Sequence, residues 1–237
     1  MLTKMQIAVL NISMFTYKLG FERAYDIVPL RRKQKIDQLK NEKDKARGLA
    51  AEFVLNYCLM EYKDKENIEE NCIKNLSESD IEKSINDKSA FSYEMEYQYG
   101  GKPMLTGINP ICFNLSHAGD YAVCAVSNVP VGIDIEGRHQ INEKVMKKCF
   151  SEKEKNWVNE NEEKKQERFF RLWTAKEAVS KATGKGLSQI IEGIYFQVGD
   201  VLVLENEDLK SVYNICEVDS LRDEKYYITT AIKQSEK

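Results

Sequence analysis

The sequence contains little of what zinc sites, disulfide frameworks and membrane spans require. It has two histidines, and its six cysteines are scattered without a CxxC pair, so neither a zinc site nor a disulfide framework is expected. No apolar run approaches the length of a membrane span, and the first ten residues lack the apolar region and cleavage site of a signal peptide. We therefore expect reduced thiols and a cytoplasmic protein.

The chain also lacks a strong charge of either sign. Its 35 basic and 38 acidic residues leave a net charge of −3, so no field of the whole molecule favours nucleic acid or an anionic membrane, and neither partner is expected. A site for a polyanion must therefore be local. With 237 residues, the chain is long enough for one large domain or two smaller ones, each with its own core.

The order of periodic segments predicts an α+β fold rather than repeated βαβ units. A strand is expected at residues 6–11 and a long helix at 29–62, whereas the polar stretch 68–87 is expected to lie on the surface, outside the core. We place the domain boundary near Pro130, giving an N-terminal half of residues 1–130 and a C-terminal half of residues 131–237. Further strands are expected at 111–115, 121–126, 193–198, 201–204, 211–218 and 226–232, and a further helix at 166–183, ending at Gly184.

Two separated segments indicate a site for a metal ion and phosphate. In Val131-Gly132-Ile133-Asp134-Ile135-Glu136, apolar residues alternate with polar ones, so a strand would bury one face and present both carboxylates on the other. Downstream, Glu177 and Lys181 stand four residues apart on a predicted helix and share one face. Carboxylate oxygens suit Mg²⁺, and a lysine would neutralise phosphate charge. The alternatives without a functional site are that Asp134 and Glu136 face solvent on a half-exposed strand, and that Glu177 and Lys181 form an ordinary ion pair on a helix.

These segments belong to a larger ordered set that resembles the 4′-phosphopantetheinyl transferase superfamily, specifically its long Sfp-type branch. The set comprises, in chain order, Gly101-Lys102-Pro103, Phe113-Asn114-Leu115-Ser116-His117-Ala118-Gly119, Val131 to Glu136, Phe150-Ser151 with Glu154, and Trp173-Thr174-Ala175-Lys176-Glu177-Ala178-Val179-Ser180-Lys181 through Gly184-Lys185-Gly186-Leu187. The resemblance implies a monomer in which two similar α+β halves are related by a pseudo-twofold axis. It also implies an active site in the cleft between the halves.

The resemblance implies an enzyme that transfers the phosphopantetheine arm of coenzyme A to a serine of an apo acyl or peptidyl carrier protein. By the matching positions, Asp134, Glu136 and Glu177 would bind Mg²⁺. Glu177, Lys181 and Asp134 would be the catalytic residues, with the general base left open. The coenzyme A contacts implied by the same mapping are Arg31, Arg32, Lys35, Arg47, Lys102, Pro103, Ser116, His117, Lys176 and Lys181. The first four of these lie in a basic segment. Without the resemblance, this segment could be a phosphate-binding surface or only a solvated helix surface.

The segment Ile141 to Phe150 is a candidate docking surface for the carrier protein. Val145 and Met146 are apolar, while Lys144, Lys147 and Lys148 are basic, which suits the acidic and partly apolar helix that carrier proteins present. Two other functions stay open at this point. One is a non-catalytic protein that binds coenzyme A, and the other is a Mg²⁺-dependent hydrolase of a nucleotide-like pyrophosphate.

Overall fold

The computed structural model describes residues 5–15, 20–64, 72–87, 91–97, 102–107, 111–137, 139–186 and 193–234. Within them the chain mixes helices and sheets, which confirms the predicted α+β class. It divides into two compact units, of which the first ends at Asn128 and begins at residue 4, and the second continues from residue 129. Gly101 and Leu187 of the sequence motifs lie outside the described ranges, and the pseudo-twofold relation stays a prediction. No helix in these ranges is long and apolar enough to cross a membrane.

The first unit combines a four-stranded sheet with helices and a separate hairpin. The sheet has the order β2-β1-β6-β5, in which only the β1–β2 pair is parallel, and β3 pairs with β4. Its elements are β1 (Met5–Asn11), α1 (Phe21–Ile27), α2 (Leu30–Asp37), α3 (Glu42–Asp64), β2 (Cys72–Asn75), α4 (Glu78–Asn86), β3 (Glu94–Tyr97), β4 (Pro103–Thr106), β5 (Cys112–Ala118) and β6 (Tyr121–Ser127).

Helix α3 lies against the sheet of this unit and buries the expected apolar stripe. Leu49 and Phe53 are fully buried, because three- and four-residue steps return side chains to one face of a helix. The single helix expected over residues 29–62 is instead two helices. Asn41 accepts a hydrogen bond from the backbone N–H of Lys43 at 2.8 Å, so it caps the start of α3 and favours a new helix there.

The expectation that residues 68–87 lie outside the core is wrong for the part that the structure describes. Strand β2 extends the sheet by pairing with β1, and Leu76 and Ile81 are buried in the core of the unit. Ser77 and Asp80 form a capping box that starts α4. Polar composition hid these elements, since only a few apolar residues of a short edge strand and a short helix face inward.

The second unit places one long helix on a three-stranded antiparallel sheet. The sheet has the order β10-β11-β7, and α7 ends at Gly184, as expected, with that glycine at a φ of 76°. The elements are β7 (Val131–Gly137), α5 (Glu143–Cys149), α6 (Glu152–Asn159), α7 (Lys165–Thr183), β8 (Phe196–Gln197), β9 (Val203–Leu204), α8 (Glu207–Lys210), β10 (Tyr213–Val218) and β11 (Tyr226–Lys233).

Gly132 allows α7 to approach β7 at backbone distance. A Cβ atom at this position would lie 2.0 Å from the carbonyl oxygen of Ala178 and 2.6 Å from the backbone nitrogen of Ala182. Both are main-chain atoms, so a larger residue could be accommodated only by moving the helix away from the strand. The glycine therefore sets the separation between the strand that carries Asp134 and the helix that carries Glu177.

We predict that Gly132→Ala lowers the free energy of unfolding by about 3 kcal/mol, because the added methyl group overlaps the helix backbone. Chemical denaturation of the purified protein measures this change. Gly199→Ala is the matched control, since its Cβ would lie 4.0 Å from the carbonyl oxygen of Val201, outside any overlap. Equal stability of the Gly132 variant and the parent would contradict the close packing of helix and strand.

Candidate active site

Strand β7 directs its two acids toward α7, and neither acid lies on an open surface. Asp134 is only 4% exposed, and Ile133 and Ile135 on the opposite face are also buried. The expectation that one face of this strand is solvent-exposed is therefore wrong. Helix α7 covers the face that carries the carboxylates, because Gly132 lets it pack there. The acids thus lie in a partly desolvated environment, where charges interact more strongly than in water.

Lys181 joins the helix to the strand. Its Nζ atom lies 2.6 Å from Oδ1 of Asp134 and donates to the carbonyl oxygen of Ile133 at 3.3 Å. In the alternative considered from the sequence, Lys181 would form an ion pair with Glu177 on the same helix. Instead, the lysine spans the two elements, and its side chain is 26% exposed, against 5% for Asp134. Lys181 therefore combines a buried carboxylate partner with access to solvent.

Glu177 and Glu136 complete a group of mutually repelling carboxylates. Burial, followed by repulsion from Asp134 and Glu136, raises the pKa of Glu177 to about 7, although Lys181 acts in the opposite direction. Burial and repulsion from Asp134 likewise raise the pKa of Glu136. Such repulsion shows that the acids lie close together, and a bound cation would relieve it.

The donor set fits Mg²⁺, although the acids are not closed around an ion. Among the described residues, no three His, Cys, Asp or Glu side chains form a group that could hold a metal ion as placed. Asp134 is instead engaged by Lys181. Carboxylates on a strand and on its facing helix are nevertheless the type of ligand that a hard cation takes.

His139 and Trp173 contact the same acid, and neither was singled out from the sequence for this role. Nε2 of His139 lies 2.8 Å from Oε2 of Glu136, and the Trp173 side chain is near enough to that carboxylate to lower its pKa. Both contacts lower the pKa of Glu136, against the dominant effect of burial. Sequence reasoning treated Trp173 only as core. The spacing of three residues between Glu136 and His139 was a signal, but it gains meaning only when the turn after β7 is known.

Lys176 is separated from this group, although its neighbour in sequence is Glu177. Its side chain is fully buried, and Nζ lies 2.9 Å from Oε1 of Glu154 and donates to the carbonyl oxygen of Ile194. Burial lowers the pKa of Lys176, and Glu154 opposes that effect. Glu154 also accepts from the backbone N–H groups of Ser151 and Phe196 at 2.7 and 2.9 Å. Lys176 therefore holds α7 to the start of α6 and to β8.

In the first unit, two of the predicted coenzyme A contacts bind a buried acid. Arg31 and Arg32 donate to the two carboxylate oxygens of Glu52 at 2.6 and 2.7 Å, and Tyr93 donates to the same group at 2.8 Å. Glu52 is completely buried, whereas the side chains of Arg31 and Arg32 are 25% and 16% exposed. One carboxylate thus holds two guanidinium groups side by side.

The remaining predicted contacts of this unit lie on or beside four different elements. Lys35, on α2, donates to the Tyr97 hydroxyl and lies over the ring of that tyrosine. Arg47, on α3, donates to the carbonyl oxygen of Gly119 at 2.8 Å and pairs with Asp44 at 2.5 Å. Lys102 and Pro103 lie at the start of β4, and burial lowers the pKa of Lys102. Ser116 and His117 lie near the end of β5.

Taken by itself, the second unit is an α+β scaffold that presents carboxylates and a lysine on facing elements, which suits metal-dependent chemistry on phosphate groups. Residues 130–231, from β7 through most of β11, match the family model described as the 4′-phosphopantetheinyl transferase superfamily. Asp134, Glu136, Glu177 and Lys181 all fall within this match.

Several curated relatives that match part of this chain are named as phosphopantetheinyl transferases. The chain is 43% identical over 94 residues to the 4′-phosphopantetheinyl transferase psf-1 of Bacillus pumilus, covering 39% of this chain and 40% of the relative. It is 44% identical over 88 residues to the enzyme gsp of Aneurinibacillus migulanus, covering 37% of this chain and 36% of the relative. The L-aminoadipate-semialdehyde dehydrogenase-phosphopantetheinyl transferase of Mus musculus is 39% identical over 128 residues, covering 48% of this chain and 40% of the relative.

Over residues 130–231, the chain is therefore similar to the 4′-phosphopantetheinyl transferase superfamily, in agreement with the resemblance of its sequence motifs. It spans well under two thirds of the length of the curated relatives it matches.

We predict that Lys176→Met lowers the free energy of unfolding by about 3–5 kcal/mol, because it leaves the buried carboxylate of Glu154 without its cation. Adding Glu154→Gln to this variant should restore part of the loss. Thermal and denaturant unfolding measure both variants, and Lys153→Met, at a lysine whose side chain is 84% exposed, serves as the control. A Lys176 variant of normal stability with a raised KM for coenzyme A would show that the lysine binds substrate instead.

Proposed function

We propose that this protein transfers the 4′-phosphopantetheine group of coenzyme A to a serine of an apo acyl or peptidyl carrier protein. The observation that carries the proposal is the group formed by Asp134, Glu136, Glu177 and Lys181 on β7 and α7, within the segment that matches the superfamily. Relatives named for this activity support it. We further propose that the protein acts as a monomer and requires Mg²⁺.

In this proposal the serine oxygen forms a bond to the phosphorus that carries pantetheine. The bond between that phosphorus and the bridging oxygen breaks, and adenosine 3′,5′-bisphosphate leaves. Asp134, Glu136 and Glu177 would hold Mg²⁺, which neutralises pyrophosphate charge when bound. Lys181 would pair with the phosphate and stabilise charge on the departing group. Glu177, directly or through a water molecule, is the candidate acceptor of the serine proton.

The first unit supplies the proposed contacts to the phosphates of coenzyme A. We assign these to Arg31, Arg32, Lys35, Arg47, Lys102, Pro103, Ser116 and His117. A ligand with several phosphates needs cations from more than one segment, and these residues lie on α2, α3, β4 and β5. Lys176 is not included, because its ammonium group is buried against Glu154.

We predict that Asp134→Asn and Lys181→Met each reduce transfer by about 100-fold or more, since removal of one charged group from such a site typically has effects of this size. Intact-mass spectrometry of an apo carrier protein incubated with coenzyme A and Mg²⁺ measures the gain of one phosphopantetheine. Lys153→Met is a matched lysine control.

Asparagine is chosen over alanine at position 134 because Asp134 is buried, and an isosteric residue leaves no cavity. Circular dichroism then separates loss of activity from loss of fold. Transfer at the parental rate by the Asp134 variant would contradict the ligand assignment. Failure of the parent to modify peptide, polyketide and fatty-acid carriers, despite coenzyme A binding, would favour a binding protein, and carrier-independent cleavage would favour a hydrolase.

The proposed docking surface on α5 has a narrower set of contact residues than the sequence suggests. Met146 is 7% exposed and packs in the core of the second unit, so it is not available to a partner. Val145 and Ile141 are partly buried, whereas Lys144, Lys147 and Lys148 are exposed. The lysines are therefore the main candidates for an encounter with an acidic carrier helix.

We predict that replacing Lys144, Lys147 and Lys148 together by Glu raises the KM for an acidic carrier protein by about tenfold at low salt, because charge reversal slows and weakens the encounter. The KM for coenzyme A should change little. Steady-state kinetics at two salt concentrations measures both constants, and joint replacement of the exposed Lys153, Lys164 and Lys210 by Glu is the charge-matched control. An unchanged KM for the carrier would place the docking surface elsewhere.

A further inference from the structure

His139 lies in the turn that follows β7, three residues after Glu136. Its Nε2 atom is 2.8 Å from Oε2 of Glu136, and its Nδ1 atom is 3.1 Å from the carbonyl oxygen of Gln140. The side chain is half exposed, whereas that of Glu136 is 26% exposed. The histidine therefore contacts Glu136 from the solvent side of the acid group, beside a cavity of about 620 Å³ that it lines with Gln140, Gln166, Asp223, Glu224 and Lys225.

The position of His139 is fixed by contacts with α7. The side-chain amide of Gln166 donates to the carbonyl oxygen of His139 at 2.8 Å. The imidazole ring meets the ring of Phe170 edge-on, with centroids 4.7 Å apart and an interplanar angle of 81°. Phe170 in turn stacks on Tyr227, the residue that pairs with Glu136 across the sheet. The histidine is thus anchored from both backbone and ring, which limits the rotamers open to it.

One face of α7 connects these anchors with the acid group. Gln166, Phe170, Trp173, Glu177 and Lys181 follow one another at steps of three or four residues, so they lie along a single stripe of the helix. The first two contact His139. The last two belong to the acid group itself. The stripe therefore supports Glu136 and supplies Glu177 and Lys181 on the same rigid element.

Glu136 needs such support more than its neighbour on the strand. A glutamate has one more rotatable bond than an aspartate, and Glu136 is also more exposed than Asp134. A carboxylate that binds a metal is commonly hydrogen-bonded through its other oxygen, which orients it and increases metal affinity. His139 occupies one oxygen of Glu136 in this way.

We propose that His139 is a positioning residue that orients the Glu136 carboxylate for a divalent cation. This inference rests on the proposed function and goes beyond it by adding a residue outside the acid and lysine set. The ring acts as a hydrogen-bond donor to Glu136, and Gln166 and Phe170 keep it in place. His139 itself touches neither the phosphates nor the serine in this assignment.

The test measures binding of Mn²⁺ rather than activity. MnCl₂ is titrated into the protein with coenzyme A present and no carrier protein, and free Mn²⁺ is followed by electron paramagnetic resonance. We expect His139→Phe to weaken Mn²⁺ binding by about tenfold, and His139→Gln to stay within about twofold of the parent, because outer-sphere partners typically change affinity by 10- to 100-fold. Glutamine restores an N–H donor at the place of Nε2, whereas phenylalanine keeps only the ring. Gln140→Ala, which leaves the backbone carbonyl in place, is the matched control.

Two results would overturn the inference. One is a His139→Phe variant with parental Mn²⁺ affinity, and the other is a His139→Gln variant as weak as the phenylalanine variant, which would assign the ring to packing alone. A thermal melt checks that each variant is folded, and leucine replaces phenylalanine if the melting temperature falls. A parent that transfers phosphopantetheine while His139→Phe keeps its affinity refutes only the role of His139. A parent that neither binds Mn²⁺ nor modifies a carrier refutes the proposed function.

Discussion

The backbone contact between α7 and β7 at Gly132 is the constraint on which the second unit depends. Because Gly132 has no side chain, the helix approaches the strand so closely that a Cβ atom there would lie 2.0 Å from the carbonyl oxygen of Ala178. That approach buries Asp134 and lets Lys181 reach it from the facing helix. A charged group in such an environment interacts more strongly with its neighbours than it would in water. The same close packing therefore produces both the stability of the unit and the unusual pKa of Glu177.

Two lysines on α7 show how position on one helix determines chemical role. Lys176 and Lys181 are five residues apart, so they point in different directions around the helix axis. Lys176 enters the core, where its Nζ atom contacts Glu154 and donates to the carbonyl oxygen of Ile194. Lys181 instead spans to Asp134 and keeps part of its surface in solvent. The buried pair of Lys176 and Glu154 fixes the geometry of the scaffold, whereas the partly exposed Lys181 can exchange partners.

The sequence predicted the acid-bearing strand, the long helix and the glycine that ends it, because alternation, helical spacing and capping residues are local signals. It could not predict that Asp134 is buried on the face away from the apolar residues, since that depends on Gly132 and the helix that packs on it. The burial of Lys176 depends on the distant Glu154. His139 was missed for a related reason, because its contacts come from a turn and from α7. Strand β2 and α4 were missed because their polar composition outweighs the few residues that they bury.

The chain is almost neutral, but its charges are distributed unevenly within each unit. In the first unit, Arg31 and Arg32 share the single buried charge of Glu52, so this group carries one positive charge in excess. In the second unit, three carboxylates are arranged around Lys181, and their excess negative charge raises the pKa of Glu177. Each unit thus has a local excess of one charge, although the net charge of the chain is small. A cationic group of this kind suits phosphate, and an anionic one suits a divalent cation.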